Sequence, residues 1–256
     1  MLSPETSPLP PALPEKRVWG FWPTLGFSAI ILFTYVAAQN VAALVLFALR
    51  FPGSGLSYDE AVKSLQYDGV INSVAILFAA ALGIPLIYAF SKLRGGITAA
   101  EYLGLKKIRW KTVFLMVLIF IFMLALTILL ETITGEGEDS EFMVELYRSS
   151  FLPLLVLVVV FLGPFFEELF FRGFFFVGLR ASRLGAAGAV IITSLIWAAI
   201  HLQYSFAGMA QILVMGLVLG TVRHKTGSLW SSTLIHVLWN GAALVATALY
   251  VNSGGG

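Results

Sequence analysis

The feature that most constrains this chain is a series of long apolar runs, each close to the length of a membrane-spanning helix. Seven such runs cover residues 21–49, 70–90, 112–130, 150–179, 184–202, 207–222 and 229–251. A helix needs about 20 residues to cross the hydrocarbon core of a bilayer. The sequence therefore predicts an all-α, polytopic transmembrane bundle of about seven spans, with six to eight as the range. A transmembrane barrel would instead show short segments of alternating polarity.

The composition agrees with a membrane protein and excludes several other classes. Hydrophobic residues make up 59% of the 256 residues and charged residues only 12%, whereas a soluble domain has about 25% charged residues. The net charge of +2 gives no indication of nucleic acid as a partner. The sequence contains no cysteine, which rules out a thiol nucleophile, a Cys-ligated metal and disulfide bonds.

The predicted loops differ in charge, and this difference orients the bundle. Residues 91–111 contain six basic residues and one acid, whereas residues 131–148 contain six acids and one basic residue. By the positive-inside rule, the first segment is cytoplasmic and the second lies on the other side of the membrane. We therefore expect a multi-pass protein of the cell membrane with a cytoplasmic N-terminus.

The later apolar runs contain ionisable residues at positions that should lie inside the membrane. After Glu145, the only acids in the sequence are Glu167 and Glu168. An ionisable group at the centre of a span costs ~2.5–3.5 kcal/mol on insertion scales, so it usually has a partner or a function. Glu168 and Arg172 are four residues apart and can pair on one helix face, and a structural clamp explains that pair equally well. Glu167 has no such partner nearby in the sequence.

Two histidines and an asparagine lie on other predicted spans. His201 is near the end of the fifth run, and His236 and Asn240 lie four residues apart in the last one, on the same helix face. Polar groups on three helices avoid lipid only by converging on an interior cavity, which can hold water. There Glu167 could act as a general base with His201 orienting the water. His236 and Asn240 could donate hydrogen bonds to a developing oxyanion, as peptide-bond hydrolysis requires.

Straight helices would leave these residues at different depths in the membrane. At ~1.5 Å per residue, Glu167 lies about 20 Å from Arg180, whereas His236 lies only about 10 Å from Leu229. Helix tilt, a break at Pro164, or a last helix that begins below the membrane surface would each reconcile the two distances.

Other functions use the same residues in other ways. Zinc could be held by Glu167, His201 and His236 with an open position for water, although the sequence has no His-Glu-x-x-His motif. No serine lies in a Gly-x-Ser-x-Gly elbow. A non-catalytic scaffold, immunity or regulatory protein would keep these residues as a hydrogen-bonded core. An ion-coupled transporter, the least favoured alternative, would use them as a proton relay.

Taken together, these residues resemble the three motifs of the CPBP family. That family comprises the type II CAAX prenyl endopeptidases and the bacterial abortive-infection and bacteriocin-processing proteins. The resemblance covers residues ~150–245, and it departs from the usual pattern only in having tryptophan where phenylalanine is commoner. The motifs are an acidic pair with an arginine, an aromatic residue with a histidine, and a histidine with an asparagine: Glu167, Glu168 and Arg172; Trp197 and His201; His236 and Asn240.

The resemblance implies an intramembrane endopeptidase that acts on membrane-associated proteins or peptides, as in CAAX-box protein processing. We prefer a glutamate-dependent mechanism without a cofactor, because an asparagine is a poor metal ligand, and keep a zinc metalloprotease as the alternative. The resemblance assigns four catalytic residues and a supporting pair: Glu167 activates water with His201 as its partner, His236 and Asn240 stabilise the oxyanion, and Glu168 and Arg172 support them.

On this basis, the chain has four parts. A Pro-rich cytoplasmic tail (1–20) precedes the N-terminal transmembrane helices (21–149), a CAAX-protease-like catalytic transmembrane domain (150–250) and a flexible tail (251–256). The expected partners are a membrane-associated substrate and the lipid bilayer.

Overall fold

The computed structural model describes residues 18–53, 55–134 and 141–254. Within these ranges the regular structure is helical and includes no strand. The helices of the described chain are numbered in order: α1 Phe21–Arg50, α2 Tyr58–Tyr67, α3 Gly69–Lys92, α4 Ala99–Leu103, α5 Trp110–Thr134, α6 Glu141–Arg148, α7 Leu152–Arg180, α8 Gly185–Ala199, α9 Phe206–Thr226 and α10 Leu229–Asn252.

Six of these helices are long and apolar enough to cross a membrane, judged by length and composition: α1, α3, α5, α7, α9 and α10. The predicted polytopic helical bundle is therefore confirmed. The fifth predicted run differs, because α8 has only 15 residues. At ~1.5 Å per residue it is about 22 Å long, less than the ~30 Å of a bilayer's hydrocarbon core. The chain leaves the helix after Ala199 and turns before Ser205, whose hydroxyl accepts from the Gly208 N–H and caps α9.

The central helix, α7, is continuous but not uniform. Its turns widen to π-helical geometry over Val156–Leu162 and again over Glu168–Phe175. Between these stretches Pro164 has no N–H to donate, and the Gly163 N–H reaches back five residues to Val158 O. Such π turns are frequent at functional sites. Glu167 ends the short α-helical segment between them.

Close packing surrounds α7. The ring of Phe166 stacks on Tyr35 of α1, with ring centroids 3.9 Å apart. Its other neighbour is Gly83 of α3, where an added Cβ would lie 2.6 Å from the Phe166 ring. The helix can approach α3 this closely only because position 83 has no side chain.

One end of the bundle, here called the basic face, comprises residues 18–20, 93–109, 181–184 and 227–228. Its connections bond to one another. The Leu229 N–H donates to Gly104 O (2.8 Å), and the Ser228 hydroxyl donates to Lys106 O (2.6 Å). Gly104 has φ +74°, and an added Cβ there would collide with the Arg223 guanidinium. The segment containing α4 therefore covers the turn between α9 and α10.

The other end, here called the opposite face, comprises the described residues 51–53, 55–68, 141–151 and 200–205. The Gly69 N–H donates to the Ser149 hydroxyl (2.8 Å) at this end. The ring of Phe142 lies 6.2 Å from that of Tyr204. These contacts place the three connections side by side.

Hydrogen bonds inside the bundle indicate where the last helix begins. The Arg223 Nε donates to Arg172 O (3.0 Å). Arg223 is three residues from the end of α9, whereas Arg172 is eight residues from the end of α7. Gly104 and Lys106 cover the turn into α10, and Ser228 and Leu229 are buried there. The structure thus favours a last helix that begins below the surface of the bundle, and His236 lies between the two α7 carboxylates.

The two predicted tails lie partly outside the described residues. Of the N-terminal tail, residues 1–17 are not described, and α1 begins at Phe21. At the other end, α10 extends to Asn252, two residues into the stretch predicted as a flexible tail, because Tyr250 and Val251 continue its apolar sequence. Residues 255–256 are outside the described structure.

Candidate active site

The predicted catalytic residues line one cavity of about 460 Å³. Its wall is built from α1, α3, α7, α8, α9 and α10 and from all three connections of the opposite face. The side chains that were expected to converge from separate spans therefore do so: Glu167, His201, His236 and Asn240.

Glu167 presents its carboxylate to this cavity and is 27% exposed. Its Oε2 accepts a hydrogen bond from the Trp197 indole Nε1 at 2.5 Å. The same oxygen lies 3.9 Å from the Nε2 of His236. Glu167 has no partner nearby in the sequence, and its hydrogen-bond donor is Trp197 of α8, thirty residues away.

Glu168 lies behind the cavity wall and is fully buried. Its Oε1 lies 3.1 Å from the Arg172 Nη1, and both side chains are 0% exposed. The other terminal nitrogen, Arg172 Nη2, donates to Gly216 O (3.4 Å). The guanidinium carbon also lies 4.5 Å from the centroid of the Trp197 ring. The expected pair between residues 168 and 172 is thus formed, and it lies directly behind the residue that holds Glu167.

His236 connects the two carboxylates. Its Nδ1 is 3.2 Å from Glu168 Oε1, and its Nε2 faces Glu167. The two neighbouring glutamates do point in different directions, as helix geometry requires, but they meet opposite nitrogens of the same imidazole. Because an ion-paired carboxylate can only accept, Nδ1 of His236 carries a proton.

His201 and Asn240 are fixed by backbone carbonyl groups. His201 Nδ1 is 2.6 Å from Trp197 O, and since a carbonyl only accepts, this nitrogen is the donor. In the neutral ring the Nε2 then carries a lone pair. Asn240 Nδ2 donates to Val159 O at 2.9 Å, which leaves a second amide N–H and the amide oxygen.

One comparison with known proteins found a match. The family model described as type II CAAX prenyl endopeptidase Rce1-like matches residues 149–242. Residues 149–242, 94 of the 256 residues, are similar to this family and are called the Rce1-like domain after it. The resemblance identified in the sequence is thereby confirmed for this segment, and it supports a CAAX-type intramembrane protease in a multi-pass membrane protein. No curated protein and no solved structure matches the chain.

Helices outside the Rce1-like domain complete the cavity. Tyr35 and Gln39 of α1, Gln66 of α2 and Asn72 of α3 all line it. The N-terminal helices, which carry no recognisable motif, therefore form part of the site. No sequence pattern indicates these residues, because single uncharged polar residues are common in any span.

Trp197 is the site residue that the Rce1-like domain adds to the predicted set. It had been identified only as the aromatic member of a motif. Its N–H donates to Glu167, and its ring lies edge-on to both imidazoles, with centroids 5.1 Å from His201 and 5.2 Å from His236. The residue type could have indicated this role, since tryptophan has an N–H donor that the phenylalanine commoner at this motif position lacks.

The zinc alternative would use Glu167, His201 and His236 as ligands. Within the described residues, no group of three or more His, Asp or Glu side chains is arranged to hold a metal ion. Glu167 and His236 approach each other, and the contact of His201 Nδ1 with Trp197 O leaves the Nε2 of His201 without a hydrogen. Zinc usually takes three protein ligands in a catalytic site.

Proposed function

We propose that this chain is an intramembrane endopeptidase in which Glu167 activates a water molecule for attack on a peptide bond. The observation that carries the proposal is that Glu167, His201, His236 and Asn240 line one cavity. The Rce1-like match of residues 149–242 supports the protease class. The roles of the individual residues and the metal-free mechanism are our proposal.

Glu167 and His201 act on the water. Both close partners of Glu167 engage Oε2, so Oε1 accepts the proton of the attacking water. The lone pair on the His201 Nε2 accepts the other hydrogen of the water and orients it. As the water oxygen bonds to the carbonyl carbon, one proton passes to Glu167 and the carbonyl oxygen becomes an oxyanion.

His236 and Asn240 stabilise that oxyanion. The second N–H of Asn240 is directed by the bond that its first makes to Val159 O. His236 already donates from Nδ1 to Glu168, so its Nε2 donates to the oxyanion only when the ring carries both protons.

The reaction is completed by the proton that Glu167 holds. When the oxyanion collapses, the carbon–nitrogen bond breaks and Glu167 gives its proton to the leaving amine. The products are a carboxylic acid and an amine, and Glu167 returns to the carboxylate. No covalent intermediate with the enzyme forms.

The test compares the wild type with Glu167→Gln on a quenched-fluorescence peptide library in detergent, with and without a strong chelator. Loss of a general base lowers the rate by about 10²–10⁴, so we expect that loss in Glu167→Gln and none on chelation. Glu141→Gln, an exposed and isosteric change outside the cavity wall, is the matched control and retains activity.

Four results would contradict the proposal. Full activity in a folded Glu167→Gln protein would show that Glu167 is not the general base. Loss of wild-type cleavage on chelation with recovery on adding zinc would transfer the mechanism to a metal. Collapse of thermal stability in Glu167→Gln together with no wild-type cleavage would favour the scaffold, and substrate-stimulated proton flux in liposomes would favour the transporter.

A further inference from the structure

The cavity reaches the surface at the opposite face. Several of its lining residues belong to the connections at that end: Gln66, Phe142, Met143, Leu146, Gln203 and Tyr204. Among the described residues of the basic face (18–20, 93–109, 181–184 and 227–228), none lines the cavity. The entrance and the basic loops therefore lie at different ends of the bundle.

The short length of α8 explains the entrance. This helix begins at the basic face and ends at Ala199 after about 22 Å, short of the ~30 Å needed for a full span. The missing length is on the side of the opposite face. There His201, Gln203 and Tyr204 form the wall in place of a helix, which leaves room between α7 and α10.

The path from the basic face is filled with buried side chains. Arg172 and Glu168 lie behind His236 with no exposed surface. The next layer is Arg223, 4% exposed, which donates to Arg172 O (3.0 Å) and Leu103 O (3.2 Å). Leu103 itself is 2% exposed. A substrate cannot reach Glu167 from that side without displacing this packing.

The charges at the two ends of the bundle indicate on which side of the membrane the entrance lies. The described basic face carries an excess of cations, among them Arg94, Lys106, Lys107, Arg109 and Arg183. Loops with excess Lys and Arg stay on the cytoplasmic side. The opposite face carries acids in its described part, among them Asp59, Glu60, Glu141 and Glu145. It then lies outside the cytoplasm, and so does the entrance.

We propose that the substrate is a peptide segment presented on the non-cytoplasmic side of the membrane, which enters between the three connections of the opposite face. This inference rests on the proposed peptidase function. The entrance suits a polypeptide backbone, since Gln66, Gln203 and Gln39 can each donate and accept hydrogen bonds. The lining includes no Lys or Arg among the described residues, so neither side chain is there to bind a substrate carboxylate.

The absence of cysteine from the whole sequence makes the test direct, because one introduced cysteine is the only thiol in the full-length protein. Gln203→Cys places it at the entrance, and Lys107→Cys is the matched control on the basic face; both residues are exposed. Intact cells that express each variant are treated with a membrane-impermeant maleimide, before or after the membrane is opened. We expect Gln203→Cys to be labelled in intact cells and Lys107→Cys only after opening.

Labelling of Lys107→Cys in intact cells, and of Gln203→Cys only after opening, would overturn the proposal. A second pair of cysteine variants guards against a result caused by one misfolded variant. Gln66→Cys and Arg109→Cys, both also exposed, should behave as Gln203→Cys and Lys107→Cys do, respectively. Labelling does not depend on catalysis, so it reports the side of the entrance even if no peptide is cleaved. Cleavage in detergent tests the peptidase separately.

The substrate side is then tested on intact cells with the quenched peptides added outside. Cells with the wild type should cleave them, and cells with Glu167→Gln should not. Cleavage that appears only after the cells are opened, by a protein that is active in detergent, would overturn the proposed substrate side and leave the peptidase function intact.

Discussion

Two long apolar helices of this protein, α5 and α7, differ in how much of their surface is buried. The window of α5 that best fits a span has a mean hydropathy of 3.2 and 11% of it is buried, whereas that of α7 has 2.3 and 56%. Thus the more apolar helix is the one that contacts the surroundings. Lipid tails are as apolar as leucine, so hydrophobicity alone does not draw a helix into the core of a membrane protein. Polar groups do, because lipid cannot satisfy them.

The polar residues of α7 illustrate this difference. Glu168 and Arg172 are 0% exposed and occupy a π-helical stretch. In contrast, α5 is regular throughout, and large side chains on its surface remain exposed, such as Phe122 at 69%. The comparison leads to four predictions, given in order of decreasing effect.

The largest effect is expected from breaking the buried ion pair of α7. Removing one partner of such a pair costs ~3–5 kcal/mol, because the other charge is left uncompensated. Arg172→Met should therefore lower the unfolding free energy in detergent by about that amount. The double variant Glu168→Leu with Arg172→Met should recover part of the stability. A double variant less stable than Arg172→Met would show that Glu168 contributes to the unfolding free energy by something other than its charge.

A second pair of variants compares the stability cost of truncating a buried phenylalanine with that of truncating an exposed one. Phe170 of α7 is 0% exposed, whereas Phe122 of α5 is 69% exposed. Phe170→Ala leaves a cavity of about 100 Å³, which at ~24 cal/mol per Å³ costs ~2–3 kcal/mol. Phe122→Ala should change the unfolding free energy by no more than ~0.5 kcal/mol. Equal costs, measured by denaturation in the same detergent, would remove the distinction between the two helices.

A third variant separates catalysis from packing at the edge of α7. Trp197→Phe keeps an aromatic ring between the two imidazoles but removes the N–H that donates to Glu167. Hydrogen bonds to charged groups contribute ~1.5–3 kcal/mol, so kcat should fall by about one to two orders of magnitude. A fall in kcat at unchanged KM and melting temperature supports positioning of the carboxylate. A parallel loss of melting temperature would indicate packing alone.

The smallest effect concerns α2, which is outside the spans. Its capping box joins Ser57 and Glu60, and the hydrogen bonds from Ser57 lower the pKa of the Glu60 carboxyl. A lowered folded-state pKa gives stability above the unfolded pKa that is lost as the pH falls through the folded value. Hydrogen exchange of α2 amides should therefore increase on acidification in the wild type. In Ser57→Ala, exchange should already be faster at neutral pH and change less; an unaltered pH dependence would contradict this.

Much of the bundle could be predicted from the sequence because insertion into a bilayer depends on local composition. Six of the seven predicted spans correspond to helices of sufficient length, with ends within a few residues. The exception, α8, was predicted as a full span because the apolar sequence continues past Ala199 to Leu202. Where that helix ends depends on the turn that caps α9 at Ser205, and hydropathy does not report such a turn.

The candidate site was predictable to a similar degree. Glu167, His201, His236 and Asn240 were identified because polar residues are costly in a span, and they do line one cavity. Their partners were not identified, apart from the pair of Glu168 and Arg172 in neighbouring turns of one helix. The donor to Glu167 is thirty residues distant, and no local pattern relates the two positions.

By itself, the sequence determined that the chain enters a membrane as helices, which residues avoid lipid, and which family motifs they form, since each of these depends on residue type and short spacing. Only the tertiary structure decided which atoms meet. Arg223 of α9 donates to Arg172 O of α7, and α10 brings His236 between the two carboxylates. Those contacts depend on where each helix begins relative to its neighbours, and packing between distant segments fixes that position.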